Sequence, residues 1–221
     1  RFKMENINGL DLLESIIDGE QLDEILMIKD SILDRLDYAM YHYQEYKKVS
    51  DVKGADALIR ALVQDDENKR KRTAEKANII ACVYNIHIVY DYLGNLIYKT
   101  LDLQIKSRIY FHSVKKYLEK NEDYNRLSKI LNNFVSSKES YYEYIRDMSN
   151  LTKHNYNLVP NAKTSDKAGT LTREVNFIEF IKDDRTHEQI NVDTILNLGY
   201  ESVVQLMKDI GDELYSTLQK K

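Results

Sequence analysis

Between Gly19 and Lys48 the residues Leu22, Ile25, Leu26, Ile28, Ile32, Leu33, Leu36, Ala39 and Met40 recur at three- and four-residue intervals. That is the period of an amphipathic helix, and it predicts one long helix here. A shorter helix is expected over 55–64, "ADALIRALVQ", and a central one over 74–101, the most apolar segment of the chain. Further helices are predicted over 111–119, 124–135 and 137–155. Residues 156–170, "YNLVPNAKTSDKAGT", gather the only proline with Asn, Ser, Asp and Gly, the chemistry of a loop. The runs "LTREVNFIEFI" and "HEQINV" are rich in β-branched and aromatic residues and flank the turn-like "KDDRT", so a β-hairpin is expected over about 171–192. Asp193 or Thr194 would then cap a last helix, striped by Ile195, Leu198, Val203, Leu206, Met207, Ile210, Leu214 and Leu218, with Gly199 and Gly211 as kink points. The expected fold is mainly α: one domain over 1–221, an antiparallel helical bundle with one β-hairpin before the C-terminal helix.

Composition narrows the chemistry. The chain has 221 residues, 17 Tyr, no Trp, 7 Gly and a single Pro, and this scarcity of helix breakers favours long helices over an all-β fold. The lone Cys82 allows neither a disulfide framework nor a thiolate zinc site and fits a reducing, cytoplasmic setting. No apolar run approaches the roughly 20 residues that span a bilayer, and no signal-like stretch opens the sequence, so no membrane association is expected. A net charge of −4 argues against coating nucleic acid through overall charge. The basic stretch "NKRKRTAEK" at 68–76 directly follows "DDE" and reads as a solvated loop or helix end. The tyrosines at 38, 41, 43, 46, 84, 90, 92 and 98 suit either the core or a base-stacking or interaction surface.

Two polar patterns stand out against the apolar ones. On the central helix, Tyr84, His87, Asp91, Gly94, Asn95 and Tyr98 fall within an arc of about 100°. Buried without partners, such groups are costly, so they must reach water, one another or a ligand. Asp91 is placed to accept a hydrogen bond from His87 one turn earlier, and Gly94 permits close approach of another backbone or of a substrate. On the helix 137–155, Asn150, Lys153, His154 and Asn157 lie at about 40°, −20°, 80° and 20° from Arg146, whereas Tyr144, Met148 and Leu151 lie near 160°, 200° and 140°. One face packs inward, and the other offers a guanidinium, an ammonium, an imidazole and carboxamides. Arg supplies planar donors suited to phosphate, and His as a residue type can move a proton.

An all-helical bundle whose late helix carries Arg146 and Asp147, then "NLTKH" at 150–154, resembles the HEPN superfamily (higher eukaryotes and prokaryotes nucleotide-binding). The resemblance covers the architecture of 20–155 and 193–219, and its motif covers nine residues. It implies a metal-independent endoribonuclease of a toxin–antitoxin or antiphage system, with Arg146 and His154 catalytic. Asp147, Asn150 and Lys153 would orient RNA or the motif, with His87, Asp91 and Asn95 in support. It further implies a homodimer and an antitoxin or nucleotidyltransferase partner, with no cofactor. The alternative, since some members of that superfamily lack catalysis, is a non-catalytic helical interaction or nucleotide- or RNA-binding module. Seven residues separate Arg146 from His154, against roughly four to six in the family, so the axial rise is about 12 Å rather than about 7.5–10.5 Å. Other Arg–His pairs fit no better: Arg108 and His112 have three intervening residues, and Arg185 with His187 falls at the expected hairpin turn.

No other chemistry is signalled. Neither HExxH nor a Glu-x-x-His pair occurs among His42, His87, His112 and His154, so no metal site is expected. No two glycines stand close enough for a phosphate-binding loop.

Overall fold

The computed structural model describes residues 8–155, 158–167 and 169–220, and among these the chain is mainly helical, with eight α-helices in antiparallel packing and a small antiparallel sheet before the last helix. Helix α1 is Asn8–Leu12, followed by a 3-10 turn at Leu13–Ser15. Helices α2 (Glu20–Ser50), α3 (Ala55–Leu62), α4 (Asp66–Thr100), α5 (Phe111–Leu118), α6 (Asn125–Ser136), α7 (Tyr142–His154) and α8 (Val192–Leu218) complete the set. The stripes read from the sequence are the buried ones. Ile32, Leu36 and Ala39 of α2 meet Ile79, Val83, Ile86 and Val89 of α4, and Val203, Met207, Ile210 and Leu214 of α8 close the same core. Cys82 lies within it, and burial pushes its thiol up to about 12, which leaves it an apolar filler.

Several boundaries differ from the sequence reading, each for a local reason. The central helix begins at Asp66, eight residues early, because the Asp65 carboxylate accepts the Asn68 N–H at 2.8 Å and the basic residues 69–72 are good helix formers. Helix α7 begins at Tyr142 instead of about 137. A 3-10 turn at Lys138–Ser140 and the left-handed Tyr141 (φ 51°) precede it. Helix α8 is capped by Asn191, whose side chain accepts the Thr194 N–H at 3.2 Å, and not by Asp193 or Thr194. Gly199 and Gly211 do not interrupt α8. They give room to Ile145 and Leu10.

The single hairpin expected over 171–192 is replaced by two β units. Strand β1 (Asn161–Lys167), in the segment read as loop, pairs antiparallel with β2 (Thr170–Phe177) in register from Asn161 with Asn176 to Lys167 with Thr170. Gly169 (φ 80°) makes the turn, its N–H donating to Asp166 Oδ1 at 2.8 Å. The far end of β2 pairs with β5 (Ile190–Asn191). Strands β3 (Phe180–Lys182) and β4 (Arg185–His187) form a separate hairpin whose two turn residues, Asp183 and Asp184, both have positive φ (48° and 62°). That is the backbone a two-residue hairpin turn demands, and Asp tolerates it. The turn was therefore read correctly as "KDDRT", and its strands were misassigned.

Candidate functional site: a cleft on α7 walled by a β-hairpin

Helix α7 is anchored by its apolar face. Tyr142 joins an aromatic cluster with Tyr90, Phe111 and Phe134, with ring centroids 4.9–5.7 Å from it. Tyr144, Met148 and Leu151 are buried, as their azimuths predict, and so is Ile145. The opposite face holds Arg146, Asn150 and His154, and all three line one cleft of about 550 Å³. Its further walls come from His112 of α5 and from Lys182, Asp183 and Arg185 of the β3–β4 hairpin.

Asp147 organises this cleft from below. The residue is 2% exposed, and its carboxylate is fully engaged. Oδ1 accepts Arg146 Nε and Nη2, each at 2.8 Å, and Oδ2 lies 2.9 Å from His187 Nε2. A buried carboxylate survives when its lone pairs are met in this way. His187 in turn stacks on Phe180 (4.6 Å, 26°) and meets the edge of Tyr144 at 5.2 Å, so the hairpin is clamped onto α7. The Arg146 guanidinium also lies 5.5 Å from the Tyr142 ring centroid. Although burial acts against its charge, the hydrogen bonds and attraction of Asp147 prevail, and its pKa is raised. The other cations of the cleft are partnered too: Lys182 Nζ with Asp183 at 2.7 Å, and Arg185 with Glu143. His154 is exposed and forms no hydrogen bond with any described residue. His112 is pushed down by burial and then by Lys116, Lys115 and Arg146, so its ring favours the neutral form.

The structure gathers only some of the residues singled out in the sequence. Arg146, Asp147, Asn150 and His154 share the cleft. Lys153 leaves them and lies over the Tyr84 ring (5.3 Å), with Nζ 3.4 Å from His87 Nδ1. Burial, then Lys153 and Arg146, push His87 down to about 4, which makes Nδ1 an acceptor for that ammonium at neutral pH. The expected His87–Asp91 bond is not formed. Asp91 Oδ1 accepts the Phe111 N–H at 3.2 Å, and Asn95 Nδ2 donates to the Asp91 carbonyl at 3.2 Å. Asp91 thus holds the start of α5 against α4, Asn95 bonds within α4, and neither lines the cleft. Gly94 serves that same junction: a Cβ there would stand 2.9 Å from the Phe111 N and Cα, so the close approach inferred from sequence is a helix contact. Asn157 lies outside the described residues.

His112, Lys182, Asp183, Arg185 and His187 complete the site and were not selected. The signals in the sequence are Arg185 and His187 flanking the "KDDRT" turn and the pair Arg108–His112, neither of which forms a motif by itself. Of the tyrosines, Tyr46 and Tyr90 are core, Tyr43, Tyr84, Tyr92 and Tyr98 are half-buried, and Tyr38 and Tyr41 are exposed. Among the described residues no three of His, Cys, Asp and Glu form a group able to hold a metal, and no helix is long and apolar enough to cross a membrane. Compared with known proteins, the chain matches no family model, no curated protein and no solved structure.

Proposed function

We propose that the α7 cleft binds a phosphate of an RNA strand and cleaves it without metal, as an HEPN-like endoribonuclease would. His154 accepts the proton of a ribose 2′-hydroxyl, the oxygen bonds to phosphorus, and the 5′-oxygen leaves and takes a proton from solvent. Arg146, supported by Lys182 and Arg185, stabilises the charge that develops on the phosphate oxygens. Asn150 orients the strand. The observation that carries this reading is that Arg146 and His154 line one cleft within a single chain, together with cations from a second element. A homodimer that sets two such clefts side by side, and an antitoxin or nucleotidyltransferase that restrains them in a toxin or antiphage system, belong to the same proposal.

The test is incubation of the purified chain with a mixed RNA pool in a chelator. Cleavage in wild type, lost in His154→Ala with the unfolding midpoint unchanged, supports the nuclease. An intact pool rejects it.

One observation favours a second reading. Two of the Arg146 donors are committed to Asp147, and Lys182 and Arg185 each carry a carboxylate partner. A cleft so internally paired suits reversible binding of a nucleotide or RNA without cleavage. In that case His154→Ala and Lys182→Ala weaken RNA retention in a salt-dependent manner, and no product forms.

A further inference from the structure

A second pocket, of about 200 Å³, lies away from the α7 cleft, where α3, α4 and the β1–β2 sheet converge. Arg60 of α3, Arg72, Glu75 and Lys76 of α4, Thr164 of β1 and Arg173 of β2 all line it. Four cations thus face one carboxylate, and that carboxylate is already occupied. Arg173 forks onto Glu75, with Nη2 donating to Oε1 at 2.9 Å and Nη1 to Oε2, and both side chains are buried. Arg72 is spent on structure: Nη1 donates to the carbonyls of Arg60 and Val63 at 3.2 Å, and Nη2 to Gln64 Oε1 at 2.9 Å. Lys76 forms no ion pair with any described residue.

Arg60 is the anomaly. It is 6% exposed, its guanidinium makes no hydrogen bond with any described residue, and Nη1 is buried without a partner. Burial acts first against its charge, followed by Arg173 and Arg72, and the attraction of Glu75 and Glu67 offsets them only in part. A buried guanidinium whose nearest carboxylate is already bonded to another arginine is costly to hold, and an Arg does not escape by losing its proton. A polar pocket that holds one beside three more cations lacks an anion.

We propose that this pocket is an oxyanion site that takes a phosphate group, free or as the terminal phosphate of a small ligand such as a nucleotide. Arg60 supplies the buried donor, Lys76 the mobile ammonium and Thr164 a hydroxyl, and the Arg173–Glu75 pair fixes the floor. A guanidinium offers paired donors in the geometry of phosphate oxygens, which favours this anion over a halide. A space of about 200 Å³ admits a phosphate group. Nothing in this site depends on the α7 cleft or on its chemistry.

The experiment is thermal unfolding of the full chain at fixed ionic strength in inorganic phosphate, pyrophosphate or adenosine monophosphate, with chloride as reference. The expected result is a saturable rise of the midpoint with at least one phosphate probe. Arg60→Met, which replaces the buried guanidinium by a shorter, flexible apolar chain, abolishes that rise and leaves the midpoint in chloride unchanged or higher. Lys182→Ala combined with Arg185→Ala alters the other cleft and retains the rise. A larger response to the monophosphate than to phosphate at equal concentration marks a nucleotide terminus as the ligand, and the reverse marks free phosphate. Should Arg60→Met fail to fold, Lys76→Ala with Thr164→Val weakens pyrophosphate binding about tenfold by titration calorimetry. The proposal is overturned by equal rises in wild type and Arg60→Met, by no saturable response to any probe, by loss of the response in the Lys182/Arg185 variant alone, or by unchanged pyrophosphate affinity in the Lys76/Thr164 variant.

Discussion

His187 Nε2 lies 2.9 Å from Asp147 Oδ2, although 39 residues stand between them. The contact ties the short β3–β4 hairpin to α7 and fixes one wall of the cleft. It also fixes the arginine beside it, because the other oxygen of the same carboxylate receives Arg146. The hairpin thus acts on the Arg146 guanidinium through Asp147.

The first prediction concerns that carboxylate. Asp147→Ala removes the buried acceptor that Arg146 and His187 share and leaves Arg146, at the wall of the open cleft, only the Glu143 carboxylate at 3.9 Å, so it is expected to lower the unfolding free energy by about 2–4 kcal/mol. Asp147→Asn keeps an acceptor for Arg146 and is expected to lose about half as much. Urea unfolding measures both. An alanine variant within about 1 kcal/mol of wild type contradicts the clamp.

His87 makes a pH prediction with a definite sign. Its folded value is pushed down to about 4, below the roughly 6.5 of an unfolded chain, by burial first and then by Lys153 and Arg146, against the pull of Asp147. Between those values the unfolded chain binds the extra proton, so the contribution of His87 is fully present above about pH 6.5 and is lost as pH falls toward 4. The loss approaches about 3 kcal/mol. His87→Gln retains an acceptor for Lys153 and removes the titration. Asp91, raised by burial, works in the opposite direction in both proteins, and so cancels from the comparison. The difference between the two stability curves, measured by urea unfolding from pH 7 to 4, is therefore expected to grow as pH falls. Parallel curves exclude the assignment.

What the sequence revealed and what it hid follow from the range of the interactions involved. The long helices α2, α4 and α8 were legible because each carries its own apolar stripe. Arg146, Asn150 and His154 are legible as a group because one helix face carries all three, whereas Asp147 next in sequence points inward beneath them. Strand β1, "NAKTSDK", has no apolar alternation at all, and its extended form comes from pairing with β2, which no local pattern announces. The same is true of the cleft wall: Lys182, Arg185 and His187 reach α7 only through a tertiary contact. Lys153 shares an azimuth with Arg146, yet its long chain turns to Tyr84 and His87 on α4, a choice made by the neighbouring helix. Arg60 and Arg173 sit 113 positions apart, and nothing in either segment marks them as neighbours.

Gly94 yields a prediction opposed to helix propensity. Alanine in mid-helix is normally favoured over glycine by about 1 kcal/mol. At this position the new methyl meets the backbone of Phe111 at 2.9 Å and of Tyr110 at 3.1 Å, which cannot rotate away as a side chain would. The start of α5 must shift, disturbing the Phe111 N–H bond to Asp91. Gly94→Ala is expected to destabilise the protein by about 1–3 kcal/mol, and a raised unfolding midpoint would show that the two helices are not in close contact.

The Glu75–Arg173 pair supports the last prediction, because its neighbours make the two partners unequal. Removing Glu75 leaves Arg173, Arg60 and Arg72 with no carboxylate in the pocket and only the weaker pull of Glu67 on Arg60, whereas removing Arg173 leaves one carboxylate still facing two guanidiniums. Glu75→Gln is therefore expected to lose about 3–5 kcal/mol, the usual penalty for an uncompensated buried charge, and Arg173→Met clearly less. Replacing both, as Glu75→Leu with Arg173→Met, removes the attraction together with the desolvation it offset, and should recover much of the loss. A double-mutant cycle in urea reads the coupling directly. If Arg173→Met proves the costlier of the two single changes, Arg60 and Arg72 are not close enough to share Glu75, and the pocket does not hold the excess of positive charge described for it.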